Sequence, residues 1–184
     1  MRTRGIIIKR KEIGEYDELI TFFTYDFGKI TAVAKSIAKP ESKQAPHLDV
    51  LNLVDFSLVY GSGHPIVASA LSRNTFMEIK KSLTALYISS FLLDVIDKAI
   101  YENDPDRLLW SFLVDSLGQL NKISVTGNKG EYFSVFSGLQ EKLLEILGYH
   151  DARSVSLGAN LNVFEEISQK NYASLQLLKT VLKY

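Results

Sequence analysis

Short runs with one polar and one apolar face fill the first 75 residues and surround a loop rich in lysine. In Thr3–Arg10, Ile6 and Ile8 fall on one face and Ile7 and Lys9 on the other, the period of a strand. Glu18–Tyr25 is dense in Ile, Phe and Thr, which favour a pleated surface. It runs into Asp26-Phe27-Gly28-Lys29, a short connection whose glycine can take the positive φ of a bulged hairpin. Lys29–Ile37 returns as a third strand. Beyond the loop at 38–48, Val54, Phe56, Leu58 and Tyr60 alternate with Asp55, Ser57 and Val59. Gly61-Ser-Gly-His-Pro65 turns the chain, and Ile66–Leu71 closes the set. Five strands in so short a stretch predict a five-stranded Greek-key barrel of the oligonucleotide-binding (OB) type, with an SH3-like barrel as the alternative.

After residue 80 the period becomes helical. Leu83–Tyr101 is apolar nearly all round, as a central buried helix would be. Asp104 reads as an N-cap with Pro105 at the first helical position, opening a helix with Leu109, Phe112, Leu113, Leu117 and Leu120 on its inner face. Glu131–Leu147 carries apolar residues at 136, 139, 143 and 147, and Gly148 is a natural stop. A turn is expected at 158–162 and a last helix from Asn171 to Leu182. The fold class is therefore α+β: an OB-type barrel domain over residues 1–77, then an all-α helical domain over residues 78–184. The boundary is a change of period, with no low-complexity tether.

Composition removes several function classes. Cysteine is absent, which excludes a thiolate zinc site and a cysteine nucleophile and fits a reducing cytoplasm. The three isoleucines after the basic N-terminus are too short for a signal peptide. The apolar stretch 83–101 is interrupted by Asp94, Asp97 and Lys98, against the 18 or so nearly uncharged residues of a membrane span. A soluble, cytoplasmic protein is expected. Gly61-Ser-Gly63 lacks the Gly-x-Ser-x-Gly of a nucleophile elbow, and no phosphate-loop motif occurs. His47, His64 and His150 are isolated from one another and lack ligand spacing. No catalytic residue, metal ligand or cofactor is assigned.

Net charge is zero, yet residues 1–81 hold 12 basic against 9 acidic side chains and the remainder 9 against 12. Any case for a polyanion partner rests on local clustering. Lys35, Lys39 and Lys43 recur every four residues around Pro40, which keeps them off one continuous helix. On a barrel rim they would contact phosphates without reading sequence. Arg2, Arg4, Lys9, Arg10 and Lys11 form a second basic cluster that could extend this surface. A solvated, solubilising loop is the plainer reading of such lysines, and composition alone favours it. Aromatic rings near turns offer platforms for unpaired bases. Tyr16, Tyr25 and Phe27 lie near turns, and Tyr25 and Phe27 are taken as the candidates; Phe22, Phe23 and Phe56 belong to the core.

The order of these features resembles the RecO family of bacterial recombination mediators. The resemblance lies in Gly5-Ile-Ile-Ile-Lys-Arg10, Gly14-Glu-Tyr-Asp17 before Thr21-Phe-Phe-Thr24, Phe27-Gly28-Lys29, Val33-Ala34-Lys35, the Lys39-Pro40 loop and Leu53 to Gly63. It extends less specifically through the helical half to Leu147-Gly148-Tyr149. It implies an OB barrel fused to a helical bundle that binds single- and double-stranded DNA and anneals complementary strands without bond chemistry. The implied partners are RecR and the C-terminal tail of single-stranded-DNA-binding protein, with a functional link to RecA and a nucleoid-associated place in the cytoplasm. It turns the loop lysines toward phosphate, with Lys35 and Lys39 carried over best and Lys43 added by spacing. Lys122, Lys129, Lys142, Lys170 and Lys179 are candidate rims for an acidic peptide, although each singly reads as a solvated helix charge. Two departures stand out: the cysteine zinc module of many members is missing, and Glu41 dilutes the basic loop. The alternative function is a protein-interaction adaptor whose OB-like barrel has little intrinsic DNA affinity. A small metal-dependent hydrolase or nuclease is a third class, for which no acidic cluster is convincing.

Overall fold

The alternation read from the sequence resolves into five strands: β1 (Arg2–Glu12), β2 (Glu18–Thr24), β3 (Gly28–Ala34), β4 (Leu53–Val59) and β5 (Ile66–Asn74). They belong to a computed structural model that describes residues 1–149. The turn expected at 158–162, the helix from Asn171, and His150, Lys170 and Lys179 lie outside the described residues. The strands close into a barrel in the order β1-β2-β3-β5-β4. All neighbours are antiparallel except β3 and β5, which meet in parallel at Val33 and Ile66. This order, with β5 inserted beside β3 and β4 returned to β1, is the OB-type closure and sets the SH3-like alternative aside.

The long first strand makes the closure possible. Residues 5–12 of β1 pair with β2 while residues 2–6 pair with β4. One strand therefore turns from one sheet face into the other, and a bulge between Ile7 and Lys9 adds the local bend. Gly5 sits where both pairings overlap. A Cβ there would come within 3.0 Å of Phe56 Cε1 and of the Phe23 carbonyl. Its absence lets Phe22 and Phe56 stack, with ring centroids 4.1 Å apart and planes 13° from parallel. Ile7, Ile20, Ile30, Val54, Leu58 and Val67 complete the interior around them.

The third strand stops at Ala34, earlier than the expected Ile37. Ser36 has φ 53°, and a left-handed residue cannot continue a strand. Ile37 instead turns inward and is buried, together with Leu48 and Leu51 of the same β3–β4 connection. Asn52, fully buried, donates from Nδ2 to the carbonyls of Pro46 and His47 at 3.0 Å each. The lysine-bearing loop is thus a folded element, with Ile37 and Leu48 joined to the barrel core and its own backbone bonds.

The chain divides into two compact units, and the division is not a single cut. The first comprises Met1–Thr75 together with Ile100–Arg107; the second comprises Phe76–Ala99 and Leu108 onward. In the first unit, residues 100–107 return to the β2–β3 hairpin. Glu102 bridges to Lys29, Asn103 N–H donates to the Lys29 carbonyl at 3.2 Å, and Arg107 lies 5.3 Å from the Tyr25 ring centroid. Gly28 has φ 65°, and a Cβ on it would fall 2.1 Å from the Asp104 carbonyl oxygen.

In the second unit, α1 (Met77–Lys81), α2 (Leu83–Ala99), α3 (Arg107–Thr126, from Leu108 in this unit) and α4 (Lys129–Ile146) follow. Asn121 Oδ1 accepts from the amides of Glu78 and Ile79 at the start of α1, and Phe91 of α2 meets Phe136 of α4 edge-on. The expected start at Asp104-Pro105 is corrected: α3 begins at Arg107, because Asp104 is held in extended contact over Gly28. The next helix start is earlier than the expected Glu131, since Asn128 and Glu131 cap each other's backbone amides in a capping box. Gly148, at φ 89°, ends α4 as expected. Among the described residues no helix is long and apolar enough to cross a membrane.

Gly28→Ala is expected to destabilise the protein by about 2–4 kcal/mol, combining a left-handed backbone cost with overpacking against a main chain. Urea unfolding of the full chain measures it. A loss under about 0.5 kcal/mol, within the scatter of an ordinary surface substitution, would mean that residues 100–107 do not sit on the hairpin.

Candidate nucleic-acid interface

Lys35, Lys39 and Lys43 line one cleft of about 300 Å³ between the β3–β4 loop and β5, together with Glu41, Gln44 and Val67. Three connections converge there. The β1–β2 loop is fastened by the Ala38 amide donating to the Tyr16 carbonyl at 3.1 Å and the Ser36 amide to Asp17 Oδ1 at 2.7 Å. The turn before β5 is fastened by the Val33 amide donating to the Pro65 carbonyl at 2.8 Å. Gln44 Nε2 reaches the Ala68 carbonyl of β5 at 3.4 Å. A folded loop thus holds its lysines at the barrel rim, where the β1–β2 and β4–β5 connections of this fold class receive oligonucleotides.

The lysines differ in what they already touch. Lys35 Nζ lies 2.8 Å from Asp17 Oδ2, in a pair whose lysine is 61% exposed. That contact, with the Ser36 amide, holds the Asp17 carboxyl below the usual carboxylate range. Lys39 Nζ lies 5.5 Å from the centroid of Tyr16. Lys43 is exposed on the far side of Pro40.

The second basic cluster does not form one surface. Strand pairing puts Lys11 and Lys35 at the same end of the barrel, through Glu12–Glu18 and Glu18–Ala34. Arg4 lies at the opposite end, beside the β2–β3 hairpin, where its carbonyl accepts from the Tyr25 amide at 3.2 Å. Arg4 and Lys11 are separated by about 23 Å of extended strand. Tyr25 and Phe27, both partly exposed, share the Arg4 end, and Arg107 already covers Tyr25. The cleft therefore gathers Lys35, Lys39 and Lys43 with Lys11 at the same end, while Arg2, Arg4, Tyr25 and Phe27 are remote from it. Lys9 is exposed on β1 between the two ends, paired opposite Thr21. Lys122, Lys129 and Lys142 are exposed on α3 and α4.

Two of the candidate arginines are occupied by carboxylates. Arg10 forms a two-pronged contact with Glu18, 2.6 Å from Nε and 2.8 Å from Nη2, and its Nη1 reaches Asp49 at 3.2 Å. Glu18 is buried at the barrel's end, and its hydrogen bond raises the Arg10 pKa above the usual arginine value. Arg10 thereby neutralises an acid inside the barrel. Arg4 shares Asp55 with Arg73, at 3.0 Å from Arg4 Nε, and the two arginines hold the Asp55 carboxyl below the usual range. Sequence spacing gave no sign of either pairing, because the acids lie 8 to 51 residues away.

Residues 1–72 match the family described as "Recombination protein O N terminal". The DNA repair protein RecO of Acetivibrio thermocellus is 28% identical over 167 residues, covering 91% of this chain and 64% of the relative. The chain is thus similar to RecO over most of its length. RecO of Thermoanaerobacter sp. is 25% identical over 149 residues, or 81% of this chain and 58% of the relative. That of Bacillus cytotoxicus is 26% identical with the same coverage. The chain spans about three-fifths of the length of the curated relatives it matches. The similarity reaches past the barrel into the helices, as the order of features in the sequence implied.

Tyr16, rather than the expected Tyr25 and Phe27, is an aromatic beside the loop lysines. Its position between Glu15 and Asp17 on the β1–β2 connection was the available signal, once that connection is placed on the lysine rim.

Arg10→Ala leaves Glu18 buried without its counter-ion. Breaking a fully buried pair costs about 3–5 kcal/mol, and with the Arg10 side chain 26% exposed the expected loss is about 1–3 kcal/mol. Thermal and urea unfolding measure this; native stability combined with weakened nucleic-acid binding would instead make Arg10 an interface residue. Asp55 has a folded pKa below its unfolded value. Its contribution is therefore present above about pH 4 and is lost as pH falls through the lower folded pKa. The stability advantage of wild type over Asp55→Asn is expected to be level above about pH 5 and to shrink as pH falls below about 4. An advantage independent of pH would show that the charge on Asp55 is not what matters.

Proposed function

We infer that this chain is a non-enzymatic, DNA-binding recombination mediator that binds and anneals single strands in recombinational DNA repair. The observation that carries the reading is the cleft at the OB rim with Lys35, Lys39 and Lys43 along it, in a chain similar to proteins named DNA repair protein RecO. Ammonium groups on a rim neutralise backbone phosphate without reading bases. Annealing then follows from reduced repulsion and proximity, since the complementary strands supply their own specificity. Lys11 extends the cation surface along the same end of the barrel.

Within this reading the partners are single- and double-stranded DNA, RecR, and the acidic C-terminal tail of single-stranded-DNA-binding protein, with recombinase loading on RecA as the outcome. The protein would work in the cytoplasm at the nucleoid. The adaptor reading has one observation in its favour, the presence of Glu41 and the Asp17-bound Lys35 in the cleft. It predicts little oligonucleotide affinity without a protein partner.

Fluorescence anisotropy with a labelled single strand of neutral sequence, at about 50 and about 200 mM salt, separates the two. Binding that collapses at the higher salt supports the mediator; none at the lower salt supports the adaptor. The Lys35→Ala, Lys39→Ala double variant is expected to bind all sequences more weakly. It should reduce the slope of log affinity against log salt by about 1.4, two single-strand phosphate contacts at about 0.7 each. An unchanged affinity and slope would move the interface elsewhere.

A further inference from the structure

The β1–β2 loop places a carboxylate and an aromatic ring on the two lysines nearest the start of the cleft. Asp17 sits on Lys35 at 2.8 Å, and Tyr16 lies 5.5 Å from Lys39. The chemistry is that of a nucleotide in miniature: an anion where a phosphate would lie, and a π face where a base would lie. We propose that Tyr16 and Asp17 form an internal stand-in for single-stranded nucleic acid, from which Lys35 and Lys39 turn to phosphates on binding, after which Tyr16 stacks an unpaired base and makes the cleft prefer single strands to duplex. The proposal rests on the mediator reading of the same cleft and adds how the cleft is occupied and what it selects.

Three physical points support it. The Lys35–Asp17 pair is solvent-exposed on its lysine side, and exposed pairs are weak enough for a phosphate to compete. Asp17 itself does not leave, because its other oxygen holds the Ser36 amide at 2.7 Å and the neighbouring Tyr16 carbonyl holds Ala38. It therefore stays at the rim as a fixed negative charge that every incoming phosphate meets. Tyr16 is 39% exposed, and when Lys39 swings to a phosphate the ring offers a face to a base. Bases paired within a duplex have their faces covered by their neighbours, so only an unpaired base can use it.

The charge and the ring are separable by substitution. Asp17→Asn removes the anion but keeps the Oδ1 acceptor for the Ser36 amide, so the loop stays fastened. It is expected to tighten binding of single strand and duplex alike, by about twofold to fivefold, the range of an exposed ion pair. Tyr16→Leu is expected to weaken single-strand binding about 5- to 150-fold and to leave duplex binding unweakened, while Tyr16→Trp keeps the single-strand preference. Anisotropy with a single strand and a duplex of the same sequence reads all three, with melting temperatures confirming the fold. Unchanged or weaker binding by folded Asp17→Asn, or equal losses on both ligands in Tyr16→Leu, overturns the proposal while leaving the mediator reading intact. Absence of binding by wild type and all variants overturns both.

Discussion

The barrel depends on one place where a side chain is missing. Gly5 lies at the crossing of two strand pairings, and the space above it is filled by the stacked rings of Phe22 and Phe56 from the strands on either side. An added methyl would press on a ring carbon and a carbonyl at once. A stacked aromatic pair is favourable beyond the area it buries. Here it lies in the barrel interior, between the two strands that pair with β1.

Charge in the first unit is sorted by its position relative to the barrel wall. Arg10 points to the barrel's end and completes Glu18 and Asp49; Arg4 and Arg73 bracket Asp55 on the outside. These groups hold the framework together. Lys35, Lys39 and Lys43 stand on the β3–β4 connection, where long flexible stems can follow a mobile polyanion. Arg4, Arg10 and Arg73, with their planar forks, take fixed carboxylates while lysines line the rim, a division that matches the hydration and geometry of the two groups.

Much of the framework was legible from the chain alone. Alternation located β1 and β4, while the density of Ile, Phe and Thr located β2, whose residues are nearly all buried. The cluster at Lys35, Lys39 and Lys43 was legible for the same reason that it is coherent: its members are close in sequence on one loop. Arg10 was not legible as an internal ion pair, since its acid faces it only through strand register. Likewise Arg4 and Tyr25 looked like additions to the lysine surface until pairing placed them at the other end of the barrel. The start of α3 was misplaced because Asp-Pro carries a strong local helix signal, and a contact with Gly28, 76 residues earlier in the chain, overrides it. Local rules fail where distant backbone makes the competing contact.

That contact also bears on how the first unit comes into being. All five strands are present once residues 1–74 exist, but the hollow over Gly28 is filled by a segment centred on Asp104. During synthesis the hairpin must wait through the whole of α2 before its covering backbone arrives. The five strands are thus made before the backbone that covers Gly28, which comes only with residues 100–107.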